Sequence, residues 1–115
     1  MIQLKRAYEK AEKTDGYRVL IDRLWPRGVT KKKLALDEWA KDLSPSPELR
    51  KRFGHDPKKW PAFRAAYRRE LRAAEKRPAV RALAARARKS TVTLVYGARD
   101  EKRNNAVVLK SILGR

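Results

Sequence analysis

The 115-residue chain has no cysteine, a single histidine and a single methionine, and it is poor in acidic residues. Without cysteine there is no disulfide and no thiolate to act as nucleophile or ligand. With only His55 to add, the usual donors of a dedicated zinc site are missing, so neither metal nor cofactor is implied. No apolar run approaches the roughly 20 residues that span a bilayer. The stretch Met1 to Lys13 is charged and lacks the apolar core of a secretory signal, which predicts a cytoplasmic protein with no membrane partner. None of Ser44, Ser46, Ser90 and Ser111 stands in a nucleophile-elbow motif, so a serine hydrolase has no signature here.

What the chain has in excess is positive charge. Thirty-one Lys and Arg face thirteen Asp and Glu, for a formal +18 at pH 7. That imbalance costs self-repulsion in the compact state and attracts phosphate-rich partners. Hydrophobic residues are 42% of the chain, enough to argue for a packed core rather than disorder. The expectation is one domain over residues 1–115, burying roughly 65% of its unfolded surface.

Ile2 and Leu4 alternate with Gln3 and Lys5 as in a short strand, and the Asp15-Gly16 turn leads into a richer one, Tyr17 to Ile21. Ser90 to Tyr96 is the strongest strand signal. Asp37 to Leu43 reads equally as strand or connector, since periodicity does not decide it. Thr30 is placed to cap a short helix through Leu34. Ser46-Pro47 and Asp56-Pro57 each put a capping side chain just before proline, the favoured order at helix starts. Gly54 closes the first of these helices. In the second, Trp60, Phe63, Tyr67, Leu71 and Ala74 form one stripe at helical spacing, and Pro78 is expected to end it. Val80, Leu83, Ala84 and Ala87 mark a further helix, and Val108, Leu109, Ile112 and Leu113 a last one. Strands alternating with helices predict an α/β domain with a small, mainly parallel sheet of three to four strands flanked by helices.

In open α/β folds ligands sit at the carboxyl ends of the strands. Two strands here exit into loops rich in Arg and Asp, Asp22 to Gly28 and Gly97 to Asn105. If the strands are parallel these loops share one sheet edge. Arg23, Arg27 and Arg99 would then converge, with Asp22 and Asp100 orienting them. The planar guanidinium fork suits phosphate or carboxylate, and a helix N-terminus adds backbone donors. An Asp–Arg network that merely pins the two loops together is the competing reading. Trp25 is either a core anchor or a stacking platform. His55 lies between a helix end and the Asp56-Pro57 cap, where a hydrogen-bonded structural role is expected ahead of a catalytic one. The candidate catalytic residues are therefore Asp22, Asp100 and His55, and the candidate ligand contacts are Arg23, Trp25, Arg27, Arg99 and Asn104.

The runs YRVLIDRLWPRGV at Tyr17 to Val29, LSPSPELRKRFGHDP at Leu43 to Pro57 and LVYGARD at Leu94 to Asp100 resemble the YeaO-like branch of domain-of-unknown-function family 488. The resemblance extends from about Gln3 to Leu113. It implies a small α/β domain in a bacterial or archaeal cytoplasm and no established activity. Similar proteins often carry His-Asn-His after the GARD-like loop, where this chain has Arg103-Asn104-Asn105. Two potential proton carriers or metal ligands are thus absent from that position.

Between Pro57 and Lys89 twelve basic residues meet only Glu70 and Glu75. Arg64, Arg68 and Arg72 would line one helical ridge, with Arg69 and Lys76 in a neighbouring row. Long Arg stems lying over the apolar stripe would explain the pattern structurally. Repeated like-charge neighbours instead suit a polyanion, contacted mainly through backbone phosphates. The leading expectation is therefore a DNA- or RNA-binding domain using this face. An enzyme acting on a nucleotide or other phosphorylated small molecule in the loop pocket is the alternative, and a module for an acidic protein partner is a third.

Overall fold

The computed structural model describes residues 1–114. Four strands, β1 (Ile2–Arg6), β2 (Tyr17–Leu20), β3 (Glu38–Trp39) and β4 (Val92–Tyr96), form one sheet in the order β1-β4-β2-β3. Every pairing is parallel, with Leu4 opposite Leu94 and Val19 opposite the same Leu94 from the other side. The α/β architecture expected from the alternation is therefore present. β4 is central and wholly buried, which accounts for its continuous run of β-formers.

Alternation along the strands gives the sheet two unequal covers. Ile2, Val19, Ile21, Val92, Leu94 and Tyr96 join the larger core, which is built with residues of α2 (Pro47–Phe53), α3 (Trp60–Leu71), α4 (Arg77–Lys89) and α5 (Asn105–Leu113). On the opposite face Leu20 and Val95 meet Leu34 of the short α1 (Lys31–Leu34), with Trp25 and Trp39 packed alongside. The caps fall where the residue order puts them. Thr30 accepts from Lys33 N–H, Ser46 from Leu49 N–H and Asp56 from Lys58 N–H.

Two boundaries differ from the sequence reading. Asp37 to Leu43 is both of its alternatives in succession, the two-residue β3 and then a 3-10 turn at Lys41–Leu43. α3 stops at Leu71 rather than running past Ala74, and Ala73 is extended (φ −59°, ψ 145°). Ala74 offers one methyl group, too little burial to hold another turn, and the bend brings Leu83 and Ala87 back onto the core. Pro78 consequently starts α4 instead of ending the preceding helix, the position where its missing N–H costs nothing.

Gly16 aligns β2 beside β4. Its φ is +63°, and a Cβ there would collide with the Thr91 carbonyl that accepts from Tyr17 N–H at 3.0 Å. Next to it lies a buried ion cluster. Asp15 takes Arg18 Nη1 at 2.6 Å and Lys5 Nζ at 3.0 Å, while Arg18 also donates twice to the Leu34 carbonyl that ends α1. Burial raises the Asp15 carboxyl, but the Glu12 N–H, Lys5 and Arg18 outweigh it and hold it below its ordinary 3.8. Its contribution to stability is therefore complete above pH 3.8 and is lost as pH falls through the lower folded-state value. Asp15→Asn leaves Arg18 buried with a weakened partner and is expected to cost about 3–5 kcal/mol in denaturant unfolding. The variant should also lose the part of the acid-side decline that Asp15 titration supplies, which melting curves between pH 2 and 5 would read.

Candidate anion-binding site

Because β2 and β4 are parallel neighbours, the chain leaves both at the same sheet edge. The loops after them meet there and, with α2 and α3, enclose a cavity of about 540 Å³. This lies within the roughly 300–1,000 Å³ typical of small-molecule sites. Asp22 braces its base. One carboxylate oxygen accepts from Gly97 N–H at 2.8 Å, and the other from Asn105 Nδ2 at 3.0 Å. Asn105 also donates to the Ile21 carbonyl at 3.0 Å, so the first residue of α5 is tied to the end of β2. Burial lifts the Asp22 carboxyl above its ordinary value, more than the Asn105 and Gly97 donors and the charges of Arg50 and His55 lower it. Asp22 therefore joins loop to loop and does not orient the arginines as expected.

Asp100 is likewise spent on local structure. Its Oδ1 accepts from the N–H groups of Lys102 and Arg103, and its Oδ2 meets Arg103 Nη1 at 3.2 Å. The Lys102 N–H first, then Arg103, keep its carboxyl below the ordinary range against an opposing desolvation. Its partner is Arg103, not Arg99. Asn104, expected to touch ligand, is the buried N-cap of α5, accepting from Val107 N–H at 3.0 Å and donating to the Asp100 carbonyl at 2.8 Å. It still forms part of the cavity wall.

Of the three arginines expected to converge, Arg23 and Arg99 line the cavity and Arg27 does not. Arg27 points outward from the far end of its loop, beyond Pro26. Trp25 turns to the smaller core, where Nε1 donates to the Val29 carbonyl at 2.6 Å and the ring meets Trp39 edge-on at 5.3 Å. Arg50, from α2, takes the place left by Arg27. Among the described residues Arg23, Arg50 and Arg99 make no ion pair, and Arg23 Nε is buried with no hydrogen-bond partner. His55 is exposed on the cavity wall and makes no hydrogen bond to the described residues, contrary to the bound structural role expected of it. Its backbone is left-handed (φ +57°), directly after Gly54 (φ +52°), a region where His is tolerated better than most residues.

Sequence reading missed Arg50, Arg103, Asn105, Phe53 and Phe63, which reach the cavity from α2, α3, α5 and the loop before α5. It also missed Arg6, whose Nε donates to the Ala98 carbonyl at 2.9 Å and steadies the second loop from β1. No short-range signal announces a contact made across strand order β1-β4.

The basic face is less regular than its spacing suggested. Arg64 and Arg69 are exposed on α3, but Arg68 is half-buried and donates to Ser111 Oγ at 2.8 Å. Arg72 caps the helix, and Lys76 lies in the 3-10 turn after the bend, so neither proposed row continues unbroken.

With that geometry in view, comparison with known proteins places the chain. A family model described as the inactive DUF488-N3 subclade matches residues 1–115. The chain belongs to this family. It is 48% identical over 108 residues to the uncharacterized protein YeaO of Escherichia coli K12, covering 94% of this chain and 92% of the relative. It is 37% identical over 112 residues to uncharacterized proteins of Mycobacterium tuberculosis and Mycobacterium bovis, covering 97% of this chain and 92% of each relative. No solved structure matches. Among the described residues of this DUF488 chain no three His, Asp or Glu side chains gather as a metal ion would require, and no helix is long and apolar enough to cross a membrane.

The α5 N-terminus is the hinge of the site, and its cap can be tested separately. Asn104→Ala should destabilise the domain by about 1–2 kcal/mol through loss of the cap. Asn104→Asp should recover much of that, since its carboxylate still accepts from Val107 N–H. Equal losses for the two variants in urea unfolding would assign the cost to the Asp100 carbonyl contact instead.

Proposed function

We propose that this chain binds a phosphorylated small molecule in the strand-edge cavity and holds it without transforming it. The observation that carries the reading is Arg23, a wall residue whose Nε is buried and unpartnered among the described residues. A buried donor left unpaired costs about 1–3 kcal/mol, a cost that an incoming oxyanion offsets. Arg50 and Arg99 supply two more cations with no ion pair among the described residues, and phosphate accepts from guanidinium forks at short range. Two of the three candidate acid–base groups, Asp22 and Asp100, are engaged elsewhere, leaving His55 on the cavity wall unbound among the described residues. Both Asp22 oxygens already accept, Asp100 caps the turn before α5, and Arg103 and Asn105 stand where similar proteins often carry histidine. The family's description as inactive agrees with a site whose arginines stand unpaired among the described residues while both of its aspartates are spent on structure.

The test is thermal protection by pyrophosphate at fixed ionic strength. Saturable protection is expected, of about 2.7 kcal/mol at a hundredfold excess over Kd. Arg23→Ala should weaken binding roughly tenfold or more, the scale of one charge-assisted hydrogen bond. Protection that is identical in Arg23→Ala, or reproduced by added sodium chloride, would contradict the reading.

A second reading, binding of DNA or RNA by its backbone, rests on the cations outside the cavity. Among the described residues only Lys5, Arg18 and Arg103 of all the lysines and arginines form ion pairs. Arg64, Arg69, Arg72, Arg77 and Arg81 are exposed on or beside α3 and α4 with little acid to oppose them. The broken ridge makes a continuous groove-reading face the weaker part of this account, and only phosphate contacts are assigned to it. Arg64→Glu with Arg69→Glu should lower the slope of log K against log[salt] for duplex DNA by about 2. An unchanged slope would remove this face from consideration. Both readings suit the cytoplasmic setting expected from the sequence.

A further inference from the structure

The cavity has two unlike walls, and only one of them is explained by phosphate. On the β2 and β4 loops stand Arg23, Arg99 and Arg103. The other wall is apolar. Phe53 and Phe63, core residues 7% and 5% exposed, reach the cavity from α2 and α3 with their rings stacked on each other at 4.4 Å and 22°. Arg50 stands on the same α2. Leu24, at the cavity, is 56% exposed, an apolar side chain that neither core uses. His55 sets its ring beside this wall, 6.2 Å from Phe53, on a left-handed backbone.

We propose that the ligand is a nucleoside phosphate, with the base against the Leu24–Phe53–Phe63 side and the phosphate among Arg23 and Arg99. The inference rests on the phosphate-binding reading above and narrows it. More than one unpaired guanidinium exceeds what a monocarboxylate needs, and a phosphorylated sugar makes no use of the apolar lining at Leu24, Phe53 and Phe63. A flat heteroaromatic ring joined to a phosphate uses both walls. The His55 ring nitrogens make no hydrogen bond to the described residues and stand within the same cavity to meet the polar edge of a base. The same moiety occurs as a free nucleotide and as the phosphorylated end of a nucleic-acid strand.

Calorimetry on the full chain decides it, using inorganic phosphate, ribose 5-phosphate, octanoate, the four common nucleoside 5′-monophosphates and a 5′-phosphorylated trinucleotide. At least one monophosphate is expected to bind about tenfold or more tighter than ribose 5-phosphate, the order that stacking one base contributes. Leu24→Ala, at an exposed position that should not disturb folding, is expected to erase most of that preference while leaving phosphate affinity unchanged. A trinucleotide tighter than the mononucleotide identifies a strand end, and the reverse identifies a free nucleotide. Ribose 5-phosphate binding as tightly as every monophosphate, or octanoate outcompeting them, overturns the nucleotide assignment and leaves or redirects the broader reading respectively. No binding by any phosphate overturns both.

Discussion

The site depends on a single carboxylate. Asp22 holds the Gly97 amide with one oxygen and the Asn105 side chain with the other, and so fastens the exit of β2 to the exit of β4 and to the first residue of α5. Those contacts exist because β4 lies between β1 and β2 with all strands parallel, which brings the two exits to one edge. Burying the carboxylate is costly, and neutral donors rather than arginines offset the cost. Arginine is thereby left available to the cavity. Had Asp22 paired with Arg23, as the sequence suggested, the pocket would be a closed network instead of a cationic wall.

Electrostatics divide the molecule in the same way. Among the described residues the one well-buried ion cluster, Asp15 with Lys5 and Arg18, sits on the smaller face of the sheet and ends α1. Elsewhere the acids are too few to neutralise the bases, so the surface keeps a net positive potential that draws anions from any direction. Such a field raises encounter rates and selects nothing by itself. On the proposed reading, selection comes from the cavity, where donors are fixed by the strand exits beside an apolar lining.

Much of the fold was legible in the sequence. Caps such as Ser46-Pro47 and the β-rich run Thr91 to Tyr96 act over a few residues, and short-range rules describe them well. The length of α3 was misjudged because alanine fits the stripe without contributing much burial, so Ala74 was counted as core though it is exposed. The site was half legible. The two loops were identified, and Arg23, Arg99 and Asn104 do line the cavity. Trp25 and Arg27 were not separable from Arg23 by type, because which way a loop residue turns depends on the Trp39 and Val29 contacts across the smaller core. Arg50, Phe53 and Phe63 come from helices whose docking onto the sheet edge no local pattern specifies.

The family relationship fits this picture without supplying a function, since YeaO and the mycobacterial relatives are themselves uncharacterized. What the structure shows is a cavity lined by Arg23, Arg50 and Arg99 on a well-braced edge. The most direct measurement is a titration of the isotopically labelled protein with pyrophosphate, following backbone amide and arginine Nε–Hε resonances. The account predicts saturable shifts concentrated at Arg23, Gly97, Arg99 and the first turn of α5, with the Arg23 Nε–Hε signal among the most displaced. Shifts spread over α3 and α4 with no saturation, or none at Arg23, would contradict it.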